Sequence, residues 1–408
     1  MKIHRSLAEA VVQSLHYIFS ENKYADKVIE KTLKQNPKWG ARDRRFIAET
    51  TYDIVRWKRF YQTISHSNES DYWKWLAVWI IQRDFELTDW NEFKSINKKD
   101  VKVKLTEVYP RFIKQSIPDW LDELGKQQLG ERWNKELDAL NQQAKVVLRV
   151  NTLKTSKEKL AQLLLDDGIE TEVLNDLPDV LILIKRQNIF QSQHFKDGLF
   201  EVMDAGSQTI AQFLVSGRVG GTPPFGDKGT TGSLRVIDAC AGAGGKTLHL
   251  AALLKNKGKI VALDTEHWKL DELSKRARRA GAFNIETRVI DSGKVIKRLE
   301  NSADYLLLDV PCSGLGVLKR NPDAKWKLSL AFIQKVNQLQ KDILTDYNSM
   351  LKQGGSLVYS TCSILPMENE EVVKDFLLKN SSFKLIEENH CYPSDGFDGF
   401  YMAKLVKQ

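Results

Sequence analysis

One stretch, residues 234–254, constrains the fold more than any other part of the chain. A largely apolar run ends in the acidic Asp238, a loop of small residues and glycines follows, and residues 247–254 have the composition of a helix. Glycines let a backbone approach a ligand closely, and the ligands of α/β proteins lie beyond the carboxyl ends of the strands. The stretch therefore predicts a nucleotide-cofactor cradle at a strand–loop–helix junction.

The spacing of the glycines excludes two phosphate-binding loops. A P-loop has the pattern G-x-x-x-x-G-K-[ST], and its first glycine would fall at Cys240 although residues 245–247 fit its end. The dinucleotide pattern G-x-G-x-x-G fails because position 247 is threonine. A loop for S-adenosylmethionine tolerates both departures, since it holds a ribose and a methionine tail rather than a pyrophosphate. The alternative is a glycine-rich turn without a ligand.

Composition and charge favour a water-soluble protein with an anionic partner. The 408 residues are 42% hydrophobic and 28% charged, and they suffice for two or three domains. No apolar run approaches the ~20 residues of a membrane span, and the N-terminus lacks a secretory signal. The net charge of +8 suits a polyanion. The four cysteines form no C-x-x-C pair, which argues against zinc and disulfides and predicts a reducing cytoplasm.

The hydrophobic pattern changes along the chain. Residues 1–125 have helical periodicity, and a small α/β module follows, with a helix over 156–165 that Ser156 caps. From Leu234 onward strands and helices alternate, which is typical of a parallel sheet with helices on both faces. Residues 220–232, rich in glycine and proline, are expected to form a surface insert.

Four of the five strands predicted for this sheet end at or near an aspartate. The strands are 235–238, 260–264, 287–291, 305–310 and 356–360. A residue at the carboxyl end of a strand faces the shared ligand crevice. A helix cap or a solvated turn would explain one such acid, but four in register favour a ligand-lining role.

The individual acids suggest contacts with a nucleoside. Asp264 ends the strand that comes after the cradle helix. An acid at this position can accept hydrogen bonds from both ribose hydroxyls. Asp291 ends the next predicted strand, where an acceptor would face an adenine amino group.

Two cysteines, Cys312 and Cys362, directly follow strands of the same sheet. Carbon 5 of a cytosine is a poor nucleophile towards a sulfonium methyl until a thiolate adds to carbon 6 and converts the ring into an enamine. Asp309, close to Cys312, could hold ring nitrogen 3 and the exocyclic amine. A thiolate and a carboxylate in one crevice thus predict covalent catalysis on a pyrimidine, whereas Cys391 is interpreted as an inert core cysteine.

Four motifs together resemble those of the RsmB-like (NOL/NOP/Sun) RNA cytosine-5 methyltransferases. They are DACAGAGGKT at 238–247, DVPCSGLG at 309–316, RNPDAKW at 320–326 and YSTCSILPMENE at 359–370. Residues 203–208 resemble the segment that precedes the fold in that family, residues 149–154 resemble its small RNA-binding module, and the helical N-terminus resembles a NusB-like domain. Ala243 stands where the family usually has proline, a change of about 0.5–1 kcal/mol in pre-organisation.

The resemblance implies an α/β fold of class I, S-adenosylmethionine-dependent and Rossmann-like, with a mostly parallel sheet. This methyltransferase domain is predicted over residues 201–408. It would follow an all-helical NusB-like domain over 1–125 and a small α/β, RRM-like RNA-binding module over 126–200.

The resemblance also implies the activity and the roles of the site residues. S-adenosyl-L-methionine would be the cofactor, and the substrate would be a cytosine in RNA, specifically 16S rRNA. Cys362 would attack carbon 6, Cys312 would assist product release, and Asp309 would contact the base. The residues expected to contact the cofactor are Cys240, Ala241, Gly242, Ala243, Gly244, Gly245, Lys246, Asp264, Asp291 and Asp309. Lys246 could instead be a structural lysine at the start of a helix.

A basic loop with an aromatic residue follows the Pro-Cys motif and is predicted to bind RNA. Its members are Lys319, Arg320, Lys325 and Trp326. The alternative is a solvent-exposed loop in which Trp326 packs inward. The sequence further predicts a cytoplasmic monomer that binds RNA and neither a membrane nor a metal.

Two other functions stay open at this point. A DNA cytosine-5 methyltransferase would use Cys312 as its nucleophile. A non-catalytic RNA-binding or ribosome-assembly factor would keep the fold, although decayed motifs would then be expected and the acids and cysteines are all present.

Overall fold

The structure is a computed structural model that describes residues 3–174, 176–216 and 234–408. The chain forms two compact units. The helical unit comprises Met1–Gln142 with Leu318–Leu330, and the α/β unit comprises Gln143–Val317 with Ala331–Gln408. The predicted surface insert at 220–232 lies outside the described residues.

The helices carry labels in chain order. They are α1 (Arg5–Phe19), α2 (Ala25–Gln35), α3 (Ala41–Arg56), α4 (Lys58–Ser65), α5 (Tyr72–Gln82), α6 (Lys98–Lys104), α7 (Arg111–Lys114), α8 (Asp119–Leu129), α9 (Arg132–Leu140), α10 (Lys157–Asp166), α11 (Gln193–Lys196), α12 (Ala205–Val215), α13 (Gly245–Leu253), α14 (His267–Ala280), α15 (Gly293–Lys297), α16 (Ala324–Lys327), α17 (Leu330–Tyr347) and α18 (Glu370–Lys379). In the described ranges, no helix is both long and apolar enough to span a bilayer.

The strands are labelled in the same way. They are β1 (Val147–Val150), β2 (Thr171–Val173), β3 (Val180–Leu183), β4 (Phe200–Val202), β5 (Arg235–Asp238), β6 (Lys259–Asp264), β7 (Ile285–Val289), β8 (Ala303–Asp309), β9 (Leu351–Thr361), β10 (Phe383–Cys391) and β11 (Phe400–Lys407).

The helical unit is built on amphipathic helices around an aromatic core. In α1 the residues Leu7, Val11, Leu15 and Ile18 recur at helical spacing and are buried. Most of α5 is buried, including Trp75 at its centre. This aromatic helix therefore forms part of the core of the helical unit.

The predicted three-domain division differs from the compact units. The boundary at residue 125 falls within α8, and helical structure continues through α9, so the helical unit extends to Gln142. The boundary at residue 200 falls at the start of β4. Because the small module and the larger sheet belong to one compact unit, the division at 200 stays a prediction about domains.

The small module is a four-stranded antiparallel sheet in the order β2-β3-β1-β4. The predicted cap of α10 is confirmed, because Ser156 Oγ accepts a hydrogen bond from the Lys159 backbone N–H at 3.2 Å. Asn151, just after β1, donates to the backbone oxygens of Gly198 and Ala280 at 2.7 and 2.8 Å. This amide thereby joins the module to the end of α14.

The larger sheet has seven strands in the order β10-β11-β9-β8-β5-β6-β7. Strands β5 to β9 are parallel, as the alternation of strands and helices predicts, and their buried runs are consistent with helices on both faces. The strand β5 spans the predicted residues 235–238. Strands β10 and β11 add an antiparallel pair at one side. The carboxyl ends of β5, β6, β8 and β9 therefore meet at one edge.

Candidate active site

The cradle loop between β5 and α13 needs glycine at position 244 for two reasons. Gly244 has φ +87°, and a Cβ there would lie 2.5 Å from Leu273 Cγ, so the loop packs on α14 only without a side chain. At Gly242 and Gly245 an added Cβ would meet no heavy atom within 4 Å. The loop is thus packed on one side and open where a ligand can approach.

Asp264, at the end of β6, holds the loop. Its Oδ2 accepts from the Gly242 backbone N–H at 2.9 Å, and its Oδ1 accepts from the Glu266 N–H at 2.9 Å. Lys269 lies 3.4 Å from Oδ1. A carboxylate oxygen can accept more than one hydrogen bond, so Asp264 can also bind hydroxyl groups.

The two carboxylate oxygens of Asp238, at the end of β5, have different environments. Its Oδ2 accepts from Thr247 Oγ1 at 2.7 Å, whereas its Oδ1 is buried and meets no hydrogen-bond partner within the described ranges, with the Cys240 backbone N–H near the carboxyl. Burial raises the pKa of Asp238 to about 7. An unpaired buried oxygen beside an open glycine loop suits the ammonium of a methionine tail. The sequence placed this acid in the crevice but assigned it no role.

Lys246 and Asp309 form the charged pair of the crevice. Lys246 Nζ lies 2.6 Å from Asp309 Oδ2, and Ser360 Oγ donates to Asp309 Oδ1 at 3.0 Å. Burial lowers the pKa of Lys246, but the Asp309 carboxylate outweighs it, and the pKa lies above its ordinary value. Although Lys246 starts a helix, its side chain thus reaches the end of β8, which favours a role in the site.

The two motif cysteines lie side by side. Cys312 Sγ is 3.2 Å from Cys362 Sγ, both thiols are free, and both residues are half-buried. Their loops also touch through the backbone, because the Gly316 N–H donates to the Cys362 carbonyl at 2.9 Å. The hydrogen bond to Cys362, burial and the Glu368 carboxylate together raise the pKa of Cys312 well above its ordinary value.

The other two cysteines differ from this pair. Cys240 packs in the cradle loop, and burial raises the pKa of its thiol well above the ordinary range. Cys391 lies in β10, 3.8 Å from Thr209 Oγ1, and burial raises its pKa as well. Neither thiol is disposed to form a thiolate, which is consistent with packing roles.

The predicted RNA loop is not an exposed loop. Lys319 and Lys325 are only 4% and 2% exposed, and Trp326 Nε1 donates to the Val55 backbone oxygen at 2.7 Å. Burial lowers the pKa of Lys325 well below its ordinary value. Lys319 and Lys325 are thus buried in the helical unit and Trp326 packs against its core, and the contact of these three residues with RNA stays a prediction. Arg320 is half-buried, and its contact with RNA stays a prediction.

Asp291 lies outside the group of strand ends. Strand β7 stops at Val289, so this aspartate follows two residues later, exposed, with its Oδ1 accepting from Ser292 Oγ at 2.9 Å. Its contact with an adenine stays a prediction.

Comparisons with known proteins identify the family. The family model of the 16S rRNA methyltransferases RsmB/F matches residues 230–406, and the model of their ferredoxin-like domain matches residues 117–190. A relative from Synechocystis sp. (strain ATCC 27184 / PCC 6803 / Kazusa), the probable ribosomal RNA small subunit methyltransferase B, is 30% identical over 425 residues, which cover 93% of this chain and 90% of the relative.

Solved structures agree on the fold. The crystal structure of PH0851 superposes with a TM-score of 0.81 over 100% of both chains at 24% identity. The structure of NSun6 from Pyrococcus horikoshii with SFG has a TM-score of 0.62 at 24% identity, over 72% of this chain and 99% of that one. The fold is that of class I methyltransferases, and S-adenosyl-L-methionine is the cofactor that the cradle residues suit. The chain therefore belongs to the RsmB/F methyltransferase family.

Proposed function

We propose that this protein methylates carbon 5 of a cytosine in small-subunit ribosomal RNA, with Cys362 as the nucleophile. The observation that carries the proposal is the pair of thiols, 3.2 Å apart, at the carboxyl ends of the neighbouring strands β8 and β9. The Lys246–Asp309 pair lies at the same edge. The name of the Synechocystis relative supports ribosomal RNA as the substrate.

The proposed chemistry needs a thiolate at one of the two sulfurs. Cys362 Sγ, as a thiolate, bonds to carbon 6 of the base, and the electron pair of the 5,6 double bond moves towards carbon 5. S-adenosylmethionine, held by the cradle loop, would supply a methyl group on a positively charged sulfur, and its transfer to carbon 5 would break the methyl–sulfur bond and leave a neutral thioether. A base then removes the proton of carbon 5, its electron pair restores the double bond, the C6–S bond breaks, and the thiolate of Cys362 returns.

The groups near the two cysteines support different roles for the two thiols. The raised pKa of Cys312 keeps it a neutral thiol, which can exchange a proton at the product-release step. The Lys246 ammonium, paired with Asp309, places a positive charge at the same edge of the sheet as Cys362. Asp309 is 25% exposed and can accept hydrogen bonds from the exocyclic amine of the base.

The ring has to present its face to the thiolate. A stacked, paired cytosine does not expose carbon 6 in this way, so the target nucleotide has to be unpaired or flipped out. Small-subunit RNA stripped of proteins is therefore a suitable substrate for the test.

Two single substitutions test the proposal. We expect Cys362→Ala to abolish methyl transfer from labelled S-adenosylmethionine to this RNA, because no bond to carbon 6 can form. We expect Cys312→Ala to accumulate a covalent protein–RNA adduct on denaturing gels, because release is impaired. Full methylation by Cys362→Ala would refute the proposal, and a Cys312→Ala variant without turnover or adduct would instead indicate Cys312 as the nucleophile.

A further inference from the structure

Each of the two cysteines begins the same short pattern, Cys-Ser-x-Leu. The pattern occurs at 312–315, after β8, and at 362–365, after β9. In each copy the serine Oγ accepts from the backbone N–H of the leucine two residues on, at 3.4 Å for Ser313 and 3.1 Å for Ser363. The neighbouring parallel strands thus end in two turns of the same kind.

Both turns converge on one buried carboxylate, that of Glu368. The hydroxyls of Ser313 and Ser363 both donate to Glu368 Oε2. The Ser313 backbone N–H donates to Oε1 at 2.8 Å, and Gln340 Nε2 donates to the same oxygen at 3.0 Å. Glu368 is fully buried, and these partners are all neutral donors.

Glu368 is itself held from two elements. It ends a short 3-10 turn, Pro366–Glu368, and its backbone oxygen accepts from Tyr359 Oη of β9 at 2.7 Å. Gln340, from α17, also donates to the Pro311 backbone oxygen at 2.9 Å, directly before Cys312. The carboxylate can therefore act as a rigid brace between the two cysteine turns.

We propose that Glu368 is a positioning residue that acts through Ser313 and Ser363 to fix the register of the two thiols, and that its negative charge disfavours ionisation of Cys312. The proposal rests on the proposed function for its catalytic consequence only. It assigns no contact between Glu368 and substrate.

The buried carboxylate of Glu368 also acts electrostatically on the neighbouring thiol of Cys312. Glu368 Oε1 accepts from the backbone N–H of Ser313, the residue after Cys312, and a buried carboxylate disfavours a second negative charge close by. The raised pKa of Cys312 is consistent with this. A single carboxylate would thus fix the geometry of both turns and disfavour a thiolate at Cys312.

The first test separates the charge from the shape. Glu368→Gln keeps the volume and one acceptor oxygen but removes the charge. In a Cys362→Ala background, we expect the pH midpoint of iodoacetamide alkylation of Cys312 to fall by about one pH unit. The matched control is Glu371→Gln, because Glu371 is exposed and three residues further along the chain; its midpoint should not move. An unchanged midpoint in Glu368→Gln would overturn the charge role.

The second test measures positioning in the full chain with native cysteines. We expect Ser313→Ala and Ser363→Ala each to lower kcat by about tenfold or more while the KM for RNA stays within about twofold, because misplacement of a reacting group acts on the chemical step. Replacement by threonine, which keeps the hydroxyl, should restore part of kcat. A normal kcat in both alanine variants would overturn the positioning role.

The outcomes distinguish this proposal from the proposed function. A shifted midpoint for Cys312 in Glu368→Gln supports the charge role of Glu368 even if Cys362→Ala remains active, since alkylation does not involve methyl transfer. Conversely, an inactive Cys362→Ala with an unshifted midpoint and normal serine variants keeps the proposed function and removes the brace. If Glu368→Gln does not fold, the serine variants, which retain the carboxylate, decide the question.

Discussion

Gly316 lies where three backbone segments of the α/β unit meet. A Cβ there would be 2.2 Å from the Gly399 oxygen and 2.8 Å from the Cys362 oxygen. Its N–H donates to Cys362, and its own oxygen accepts from the Gly399 N–H at 2.8 Å. Because backbone atoms cannot yield as a flexible side chain can, any side chain would displace the Cys362 turn.

We expect Gly316→Ala to lower kcat at least about tenfold and to destabilise the protein by about 1–3 kcal/mol. Methylation assays and thermal unfolding check both effects. Gly293→Ala is the matched control, because an added Cβ there meets nothing within 4 Å. An active and stable Gly316→Ala would show that the turn can shift without cost.

Asp238 should make stability depend on pH. Its pKa is about 7 in the folded protein and near 3.8 when unfolded, so the folded state keeps a proton that the unfolded state loses between these values. Stability from this group is therefore undiminished below about pH 4 and falls as the pH rises to 7. At about 1.4 kcal/mol per pH unit, the loss is on the order of 4 kcal/mol at most.

We expect Asp238→Asn to remove this slope, so that the variant gains stability relative to the unsubstituted protein between pH 5 and pH 8. Melting temperatures without cofactor at both pH values measure the difference. The exposed Asp291→Asn serves as the control and should leave the slope unchanged. Parallel curves for Asp238→Asn and the unsubstituted protein would contradict the prediction.

Some site residues could be predicted from the sequence because local features determine their place. Asp264 and Asp309 end apolar strand runs, and the cysteines follow strands, so their position at one edge follows from a parallel sheet. The burial of Lys325 could not be predicted, because its partner Asn141 is 184 residues away. The role of Glu368 likewise depends on contacts 28 and 55 residues distant.

At the scale of elements, Glu201 connects the small sheet with the cradle. Its carboxylate, in β4, pairs with Arg276 at 3.0 Å and with Arg279, both in α14, and is only 4% exposed. Arg276 also donates to the Ala243 backbone oxygen at 2.7 Å. The path from the small module to the cofactor loop therefore consists of a buried ion pair and one hydrogen bond.

We expect Glu201→Gln to destabilise the protein by about 3 kcal/mol, because two guanidinium groups lose a buried partner. The Kd for S-adenosylmethionine should rise severalfold, since the Ala243 loop is less well held. Calorimetry measures both quantities. Glu286→Gln is the control, because its ion pairs with Lys259 and Arg288 are more exposed and worth under about 1 kcal/mol. Equal effects in both variants would exclude a special role for Glu201.

The segment 318–330 belongs to the helical unit, although in the sequence it follows the Pro-Cys motif of the α/β unit. Trp326 bonds to α3, Asp323 Oδ2 accepts from the Ala25 N–H at 3.0 Å, and Arg56 donates to the Lys319 oxygen at 3.1 Å. We expect Trp326→Ala to destabilise the protein by about 2–4 kcal/mol and Trp326→Phe by less, as thermal unfolding can measure.

The control for this segment is Leu339→Ala, on α17, where the side chain is 44% exposed and should contribute little. Similar melting temperatures for Trp326→Ala and Leu339→Ala would mean that the tryptophan does not stabilise the helical unit. A specific loss of RNA affinity in Trp326→Ala without loss of stability would support the prediction that Trp326 binds RNA.

The strands differ in how far the sequence predicts them. Strands β5, β6 and β8 are buried apolar runs, the pattern typical of central parallel strands. Strand β10 carries mostly exposed polar residues, and β11 depends on pairing with both β9 and β10. Neither strand could be predicted from the sequence, because the signal lies in pairing between distant segments and not in local periodicity.

At the scale of the whole molecule, the chain enters the helical unit twice. It leaves after residue 142, returns at 318 and departs again at 330. We expect a fragment 143–408 to be cut by trypsin within 318–330 much faster than the full chain, because Lys325 and its neighbours lose their packing partners. Mass spectrometry of the early products checks this, and equal resistance would show that the segment is ordered without the helices.

This double entry bears on how the protein is made. Residues 1–142 leave the ribosome first, yet a piece of their interior is synthesised only after most of the α/β unit. Domains usually mature in order of synthesis, but here the helical unit is complete only after residues 318–330 have been synthesised. Because the helical unit consists of two separate chain segments, neither unit can be exchanged between genes by a single cut at one linker.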